Sequence, residues 1–248
     1  MDYVRTMRLV AARQDLLHRE KIIDVALDYG FQTASGFSKA FRKTFGYSPS
    51  IYLKRYTALD SEDHSDFVRF NPEEVKIDFR YKPSFLVAGF GIETASSRAS
   101  TKDIAAYWET YTGENLEQKM YDLLDPPTHG EVGICIATPE SKTVTYLFGV
   151  IVPDYSKTTK EMMTCIIPSA EYVIFTTPPI DNTETATSCQ EDPLAEMVKE
   201  TWRYIFLEWF PKSGYLFDEN KLDFEFYDKR CHGSTQLVMD IYIPIKKA

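Results

Sequence analysis

Long apolar runs are missing from this sequence, and so is an apolar leader. No stretch approaches the roughly 20 apolar residues that a bilayer-spanning helix requires. Residues 1–17 carry charges throughout and have no separate apolar core, which argues against a secretory signal. We therefore expect a cytoplasmic protein that has no membrane partner.

Cysteine and histidine are scarce and scattered. The cysteines form no CxxC pair, and apart from the adjacent Cys231 and His232 no spacing resembles a zinc site. We expect reduced thiols and no metal site, because disulfides are rare in the cytosol. The histidines are isolated in the sequence, so we expect surface or structural roles for them. The remaining cysteines and histidines are Cys135, Cys165, Cys189, His18, His64 and His129.

Sequence signatures of catalysis are also missing. There is no GxSxG nucleophile motif and no glycine-rich phosphate loop. The sequence therefore predicts no cofactor and no enzymatic activity.

The composition is that of an ordinary globular protein, but the charge is unevenly distributed. Of 248 residues, 44% are apolar and 26% charged, which leaves room for two domains. Residues 1–56 contain 10 Lys and Arg against 5 Asp and Glu, a net charge of +5, whereas residues 57–248 contain 18 against 32, a net charge of −14. A basic segment joined to an acidic one indicates two roles, the basic part being suited to a polyanion.

The basic segment has the periodicity of short helices. Apolar spacing predicts helices over 2–17, 19–29, 33–45 and 50–56. Thr33 is a good N-cap for the third helix, and Gly30 and Gly46 are natural helix ends. Residues 58–74 are polar and acidic and are typical of a linker.

From residue 75 onward the pattern is that of strands interrupted by two helices. The order strand, helix, strand, strand occurs twice. The first pass covers 75–95, 100–124, 131–138 and 144–152, and the second covers 162–177, 193–210, 222–227 and 236–245. The expected fold class is α+β, a small helical domain followed by a duplicated β-α-β-β domain with an antiparallel sheet. In the helix at 193–210 we expect Trp202, Phe206 and Trp209 to be core residues.

The segment from Lys21 to Arg55 resembles the second helix-turn-helix of AraC/XylS-type transcription regulators. The matching elements are Asp24-Val25-Ala26, Gly30-Phe31, Phe37-Ser38, Phe41-Arg42-Lys43 and Gly46-Tyr47-Ser48-Pro49. In that family the third helix enters the major groove of double-stranded DNA. The resemblance implies that Ala34, Ser35, Ser38 and Lys39 face bases and that Arg42 and Lys43 lie near phosphates. The family's first motif is absent from this partial domain over 1–57, so we expect either a truncated product or a homodimer in which two copies bind DNA as a two-fold pair.

Residues 75–248 resemble the GyrI-like, Rob-type effector-binding domain. The matching elements are Val87-Ala88-Gly89-Phe90-Gly91, Ile167-Pro168, Tyr172-Val173, Asp223-Phe224-Glu225-Phe226-Tyr227 and Met239-Asp240-Ile241-Tyr242-Ile243-Pro244-Ile245. The resemblance implies a small cationic or amphipathic effector.

Glu225 is the carboxylate of greatest interest in this domain. Strand alternation places it on the opposite face from Phe224 and Phe226, where it either points to solvent or lines a pocket. The resemblance favours the pocket, since family members place a Glu at the floor of an aromatic cavity that binds lipophilic cations. The expected aromatic wall is Trp108, Tyr146, Phe148 and Tyr172, with Asp240 as a second carboxylate.

Together these patterns predict a DNA-binding transcription regulator that senses a small ligand. Two alternatives remain open at this stage. One is a ligand-sequestering protein that does not bind DNA, and the other is a GyrI-like hydrolase that uses Glu225.

Overall fold

The structure is a computed structural model that describes residues 2–19, 21–53, 68–95, 106–107, 110–136, 143–181 and 192–247. Trp108, His64, Cys189 and most of the predicted linker lie outside the described residues. Within the described part of the chain, no helix has both the length and the apolar character needed to cross a membrane.

The chain forms two compact units. The first contains residues 1–64, 202–219 and 245–248, and the second contains residues 65–201 and 220–244. The predicted boundaries at 57 and 75 stay a prediction. The helical unit also includes two segments from much later in the chain.

Three α-helices and a short helical segment begin the first unit. Helix α3 (Ala34–Phe45) is capped at both ends as its sequence predicts. The Thr33 side chain accepts a hydrogen bond of 3.0 Å from the Gly36 N–H, and Gly46 ends the helix with a left-handed φ of 86°. A Cβ atom at position 46 would also collide with the ring of Phe210, only 2.9 Å away. The helices are α1 (Asp2–Asp15), α2 (Ile22–Asp28) and α3 (Ala34–Phe45), followed by helical residues 49–53.

Aromatic side chains fill the core of these helices. The ring centroids of Phe41 and Phe45 are 4.6 Å apart, and the Arg13 guanidinium carbon lies 4.9 Å from the Phe45 centroid. Burial of such rings supplies most of the stabilisation available to a small helical unit. The buried rings are Phe37, Phe41, Phe45, Tyr47 and Tyr52.

The late segment of the first unit differs from its prediction. Where the sequence predicts one helix over 193–210, the structure has helix α5 (Pro193–Tyr204), a π-helical turn (Ile205–Trp209) and helix α6 (Phe210–Ser213). Pro211 has no N–H to donate to the carbonyl four residues earlier, so the regular α-helical hydrogen bonding is interrupted at this residue. Trp202 and Phe206 are buried, and Trp209 is half-buried.

Tyr47 connects this late segment to the N-terminal helices within the first unit. Its hydroxyl donates a 2.7 Å hydrogen bond to the Phe206 carbonyl, and the two rings lie 5.0 Å apart edge to face. Burial raises the pKa of Tyr47 to about 12, so the hydroxyl remains a donor. Strand β7 (Tyr215–Phe217) completes the unit by pairing with residues 245–247.

The second unit is built on an antiparallel sheet, which confirms the predicted α+β class. The strands are β1 (Lys76–Lys82), β2 (Phe85–Ala95), β3 (Glu131–Ile136), β4 (Thr143–Val152), β5 (Met163–Ile167), β6 (Ala170–Thr176), β8 (Phe224–Tyr227) and β9 (Asp240–Lys247). Their order in the sheet is β1-β6-β9-β8-β3-β4-β2-β5.

The predicted duplication is visible in the order of elements. Strand β2, helix α4 (Leu116–Leu124), β3 and β4 form one pass, and β6, α5, β8 and β9 form the other. The long strands predicted over 75–95 and 162–177 are each divided in two. Pro83 and Pro168 stand at the breaks, because proline cannot donate to a sheet. Pairing of β3 with β8 joins the two passes at the centre of the sheet.

Candidate functional site

Glu225 lies at the centre of the sheet, where the two passes meet. It pairs with Gly133 on one side and with Ile241 on the other. Gly133 in turn pairs with Phe148, and Phe148 pairs with Phe90. Directly paired residues of antiparallel strands share one face of the sheet. Glu225, Phe148 and Phe90 therefore lie on the same face, which we call the Glu225 face.

The missing side chain of Gly133 leaves space beside the carboxylate. A Cβ at this position would lie 3.4 Å from Glu225 Oε2 and 3.5 Å from the Tyr146 hydroxyl. The Tyr227 hydroxyl donates a 2.9 Å hydrogen bond to the same Glu225 oxygen. Burial, reinforced by the negative charge of Glu225, raises the pKa of Tyr227 well above its usual value, so Tyr227 stays a neutral donor. A carboxylate is thus held in place beside Gly133 at the centre of the sheet.

Two tyrosines, from the helical residues 106–107 and 110–113, pack on the Glu225 face of the sheet. The ring of Tyr107 packs against that of Tyr146 at 5.7 Å, and the ring of Tyr111 packs against that of Phe148 at 5.2 Å. The Tyr107 hydroxyl donates a 3.0 Å hydrogen bond to a backbone carbonyl, that of Phe90. Burial raises the pKa of both tyrosines. Aromatic rings and tyrosine hydroxyls therefore lie on the same face as Glu225, which suits a lipophilic cation.

Glu131 is a second acid on the Glu225 face, and the sequence analysis missed it. It pairs with Tyr227, is 2% exposed and accepts a hydrogen bond from the Tyr121 hydroxyl. Burial raises the pKa of Glu131, while the Tyr121 hydrogen bond lowers it. The sequence signal that could have revealed it is an acid in an otherwise apolar strand, two residues before Gly133 and therefore on the same face.

Comparison with known proteins identifies the family. A profile described as integron-associated effector binding protein matches residues 79–245, more than half of the chain. The chain belongs to this family of effector binding proteins. A profile of a helix-turn-helix domain matches residues 1–55. The predicted combination of an AraC-type helix-turn-helix region and a GyrI-like effector-binding domain is thereby confirmed.

Sequence relatives match the helix-turn-helix region of this effector binding protein. The chain is 40% identical to the regulatory protein SoxS of Escherichia coli strain K12 over 55 residues, which are 22% of this chain and 51% of SoxS. It is 34% identical over 68 residues to YbfP, an HTH-type transcriptional regulator of Bacillus subtilis; these are 26% of this chain and 23% of YbfP. The chain thus spans about half, or less, of the curated relatives it matches.

A solved structure shares the fold of the effector-binding domain. The protein SAV2435, in a structure bound to tetraphenylphosphonium, is 15% identical and aligns with a TM-score of 0.54. The match covers 69% of this chain and 94% of SAV2435. At this identity the similarity establishes the fold alone.

Two predicted site residues of the effector binding protein lie away from Glu225. Tyr172 packs on the opposite face of the sheet, where its ring lies 5.4 Å from that of Phe224 and its hydroxyl donates to the Leu222 carbonyl. This corrects the expectation that Tyr172 lines the same wall as Tyr146 and Phe148. The reason is the register of strand pairing, which places Tyr172 on the face of the sheet opposite to Glu225.

Asp240 is also on the opposite face, and it is already engaged. Its carboxylate lies 2.6 Å from the Arg230 guanidinium and accepts a 2.6 Å hydrogen bond from Thr176. The expectation of a second ligand-facing carboxylate at Asp240 is therefore corrected. Lys82 also lies on this face, and its ammonium is 4.8 Å from the Tyr242 ring centroid. Burial lowers the pKa of Lys82, and nearby Arg80 lowers it further.

The predicted DNA-facing residues on α3 divide into two groups. Ser35, Lys39 and Lys43 are exposed and recur every four residues, so they form one stripe along the helix, which we call the α3 stripe. Ala34 and Ser38 are half-buried beside it.

Arg42 is held within the first unit. Its guanidinium donates a 3.2 Å hydrogen bond to the Phe217 carbonyl and lies 3.8 Å from the Glu219 carboxylate. Arg42 therefore makes contacts inside the first unit, and its predicted position near phosphates stays a prediction.

Proposed function

We propose that this chain is a DNA-binding transcription regulator whose C-terminal domain binds a lipophilic organic cation beside Glu225. The observation that supports this most directly is the Glu225 carboxylate, which is oriented by the Tyr227 hydroxyl and lies with the Tyr146 hydroxyl beside Gly133. The rings of Tyr146, Phe148 and Tyr111 form one apolar cluster on the same face. A carboxylate among aromatic rings attracts a cation in two ways, through its own negative charge and through the negative faces of the rings.

The ligand class is supported by the fold. SAV2435, which shares it, has been solved with tetraphenylphosphonium, a cation whose charge is shielded by four aryl groups. Such a ligand matches a site that offers one carboxylate and several rings. Tetraphenylphosphonium is therefore our probe for this chain.

Ligand entry would require the two tyrosines that pack on the Glu225 face to move. Tyr107 and Tyr111 now pack directly on Tyr146 and Phe148, where aryl groups of a ligand would lie. We infer that the ligand selects arrangements in which these rings have moved, and that this selection changes the affinity for DNA.

The DNA-binding half of the proposal is supported by the α3 stripe. Lys39 and Lys43 are exposed on a helix whose matched profile is a helix-turn-helix domain, in a segment of net positive charge. Lysines on one face of a recognition helix can contact base edges and phosphates. A homodimer would present two such helices to a two-fold DNA site.

The deciding experiment is fluorescence anisotropy of DNA selected from a random pool, with and without tetraphenylphosphonium, over a salt series. We expect sequence-selective binding that weakens as salt rises and changes when the cation is added. Cation binding without selective DNA binding would favour a sequestering protein instead. Turnover of a lipophilic ester that is lost in Glu225→Gln would favour a hydrolase.

Substitutions in the α3 stripe provide a separate test of the DNA contact. We expect Lys39→Ala to lower the affinity for the selected DNA sequence by about tenfold, because the loss of a base contact costs about 1–3 kcal/mol. We expect Lys43→Ala to lower the affinity for all DNA sequences by a similar factor, as the loss of a phosphate contact does. The slope of log affinity against log salt concentration should decrease in magnitude by about 1. Anisotropy over the same salt series measures both effects.

The matched control is Lys160→Ala, an exposed lysine of the second unit. Its DNA affinity should equal that of the unmodified chain. Equal losses in all three variants would show a general charge effect and contradict a role for the α3 stripe.

A further inference from the structure

Two histidines that are isolated in the sequence meet in the structure. His129 precedes β3 and His232 follows β8, and their ring centroids lie 5.6 Å apart. Helix α4 contributes Glu117 to the same place. One potential ligand atom from each of the three side chains lies within 4.8 Å of the other two. Three ligand-bearing residues thus converge from three separate segments.

The surrounding groups position the cluster without occupying it. The ring of His129 stacks on that of Tyr121 at 5.1 Å, with the planes 26° apart. Glu131 is close enough for both histidines to influence its pKa. Neighbouring Cys231 is turned away from the cluster, because its thiol donates a hydrogen bond to the Val238 carbonyl. The available ligand atoms are therefore two imidazole nitrogens and one carboxylate oxygen.

We propose that Glu117, His129 and His232 bind a divalent transition-metal ion, and that the bound ion ties α4 to the segment after β8. In a tetrahedral zinc site, ligand atoms at about 2.0–2.2 Å from the metal stand about 3.4 Å apart. The three side chains must approach by somewhat more than 1 Å, and exposed His129 and His232 can do so by rotation about their side-chain bonds. The fourth position would be left to water.

The ligand set also selects the class of metal. Imidazole suits zinc, nickel and copper, whereas magnesium and calcium prefer oxygen ligands. Zn²⁺ is therefore the probe and Mg²⁺ the negative control.

The place of the cluster gives the metal a structural consequence. Leu116, Met120 and Leu124 of α4 pack into the same apolar cluster as Tyr111 and Phe148. Strand β8, which precedes His232, carries Glu225. An ion joining Glu117 to His232 would therefore restrain a helix that packs beside the Glu225 face. This inference rests on the three ligands and does not depend on DNA or effector binding.

Calorimetric titration of Zn²⁺ into the full, tag-free chain, after removal of metal with EDTA, tests the site. We expect one ion per chain and no heat with Mg²⁺. His129→Gln and His232→Gln should each weaken Zn²⁺ binding at least tenfold, and Glu117→Gln should weaken it in the same direction. His18→Gln, an exposed histidine of the first unit, should leave it unchanged. Zn²⁺ affinity that is the same in all four variants would overturn the site.

Hydrogen exchange separates the restraint on α4 from binding as such. Saturating Zn²⁺ should slow exchange of the α4 amides in the unmodified chain and in His18→Gln, but not in His232→Gln. Circular dichroism before titration identifies any variant that fails to fold, and the exposed positions of His129 and His232 make this unexpected. Zn²⁺ binding that leaves α4 exchange unchanged would overturn the proposed link between α4 and the segment after β8.

Discussion

Replacing Glu225 by Gln is expected to weaken binding of tetraphenylphosphonium at least tenfold, which corresponds to about 1.4 kcal/mol. Opposite charges 4 Å apart near a protein surface attract by about 4 kcal/mol, part of which is offset by desolvation. Gln keeps the size of the side chain and can still accept the Tyr227 hydrogen bond. The loss would therefore report charge, and calorimetric titration of the cation measures it.

A neutral aryl ligand distinguishes charge from shape. Triphenylphosphine oxide should bind Glu225→Gln and the unmodified chain within about twofold of each other, because its aryl groups contact the rings alone. Glu171 is an exposed acid on β6, and Glu171→Gln serves as the matched control. It should leave the affinity for both ligands unchanged. If Glu225→Gln weakens the binding of both ligands equally, Glu225 acts through structure and not through charge, and the proposed site is wrong.

Part of this site was predictable from local sequence. Alternation along 222–227 separates Glu225 from Phe224, and the structure confirms the separation. Phe224 stacks on Tyr242 at 4.5 Å on one face, whereas Glu225 lies against Gly133 on the other. Period-two alternation is a property of a single strand, so one strand is enough to reveal it.

The assignment of other strands to the same face was not predictable in this way. Tyr172 is as aromatic as Tyr146, but its side chain faces the other side of the sheet. A shift of one residue in pairing exchanges the two faces, and pairing depends on contacts between distant strands. The convergence of His129 and His232 was hidden for the same reason, since the pairing of β3 with β8 brings their segments together.

The fold shows a similar division between local and distant information. Caps and glycines predicted the helices of the N-terminal region, because each cap is satisfied by neighbours in the sequence. The inclusion of residues 202–219 in the same compact unit depends on contacts more than a hundred residues apart in the chain, such as Tyr47 with Phe206. No periodicity within either segment encodes such a partner.

That inclusion leads to the largest stability effect we expect. Phe206→Ala should lower the free energy of unfolding of the first unit by about 3–5 kcal/mol, the range for a large aromatic residue in a core. Phe206 is 2% exposed and its ring packs against those of Tyr47, Phe210 and Trp202. A cavity at this position removes contacts on both sides, because the late segment and the N-terminal helices share one core.

Hydrogen exchange of the α3 amides, combined with urea unfolding, measures this effect. Both measurements should show the lower free energy of unfolding, since α3 packs in the same unit as the altered residue. Leu27→Ala is the control, because Leu27 is 55% exposed and its removal should change stability by less than about 0.5 kcal/mol. If Phe206→Ala left exchange of α3 unchanged, the N-terminal helices would be stable without residues 202–219. The helix-turn-helix would then fold independently of a segment that the family profile assigns to the effector-binding domain.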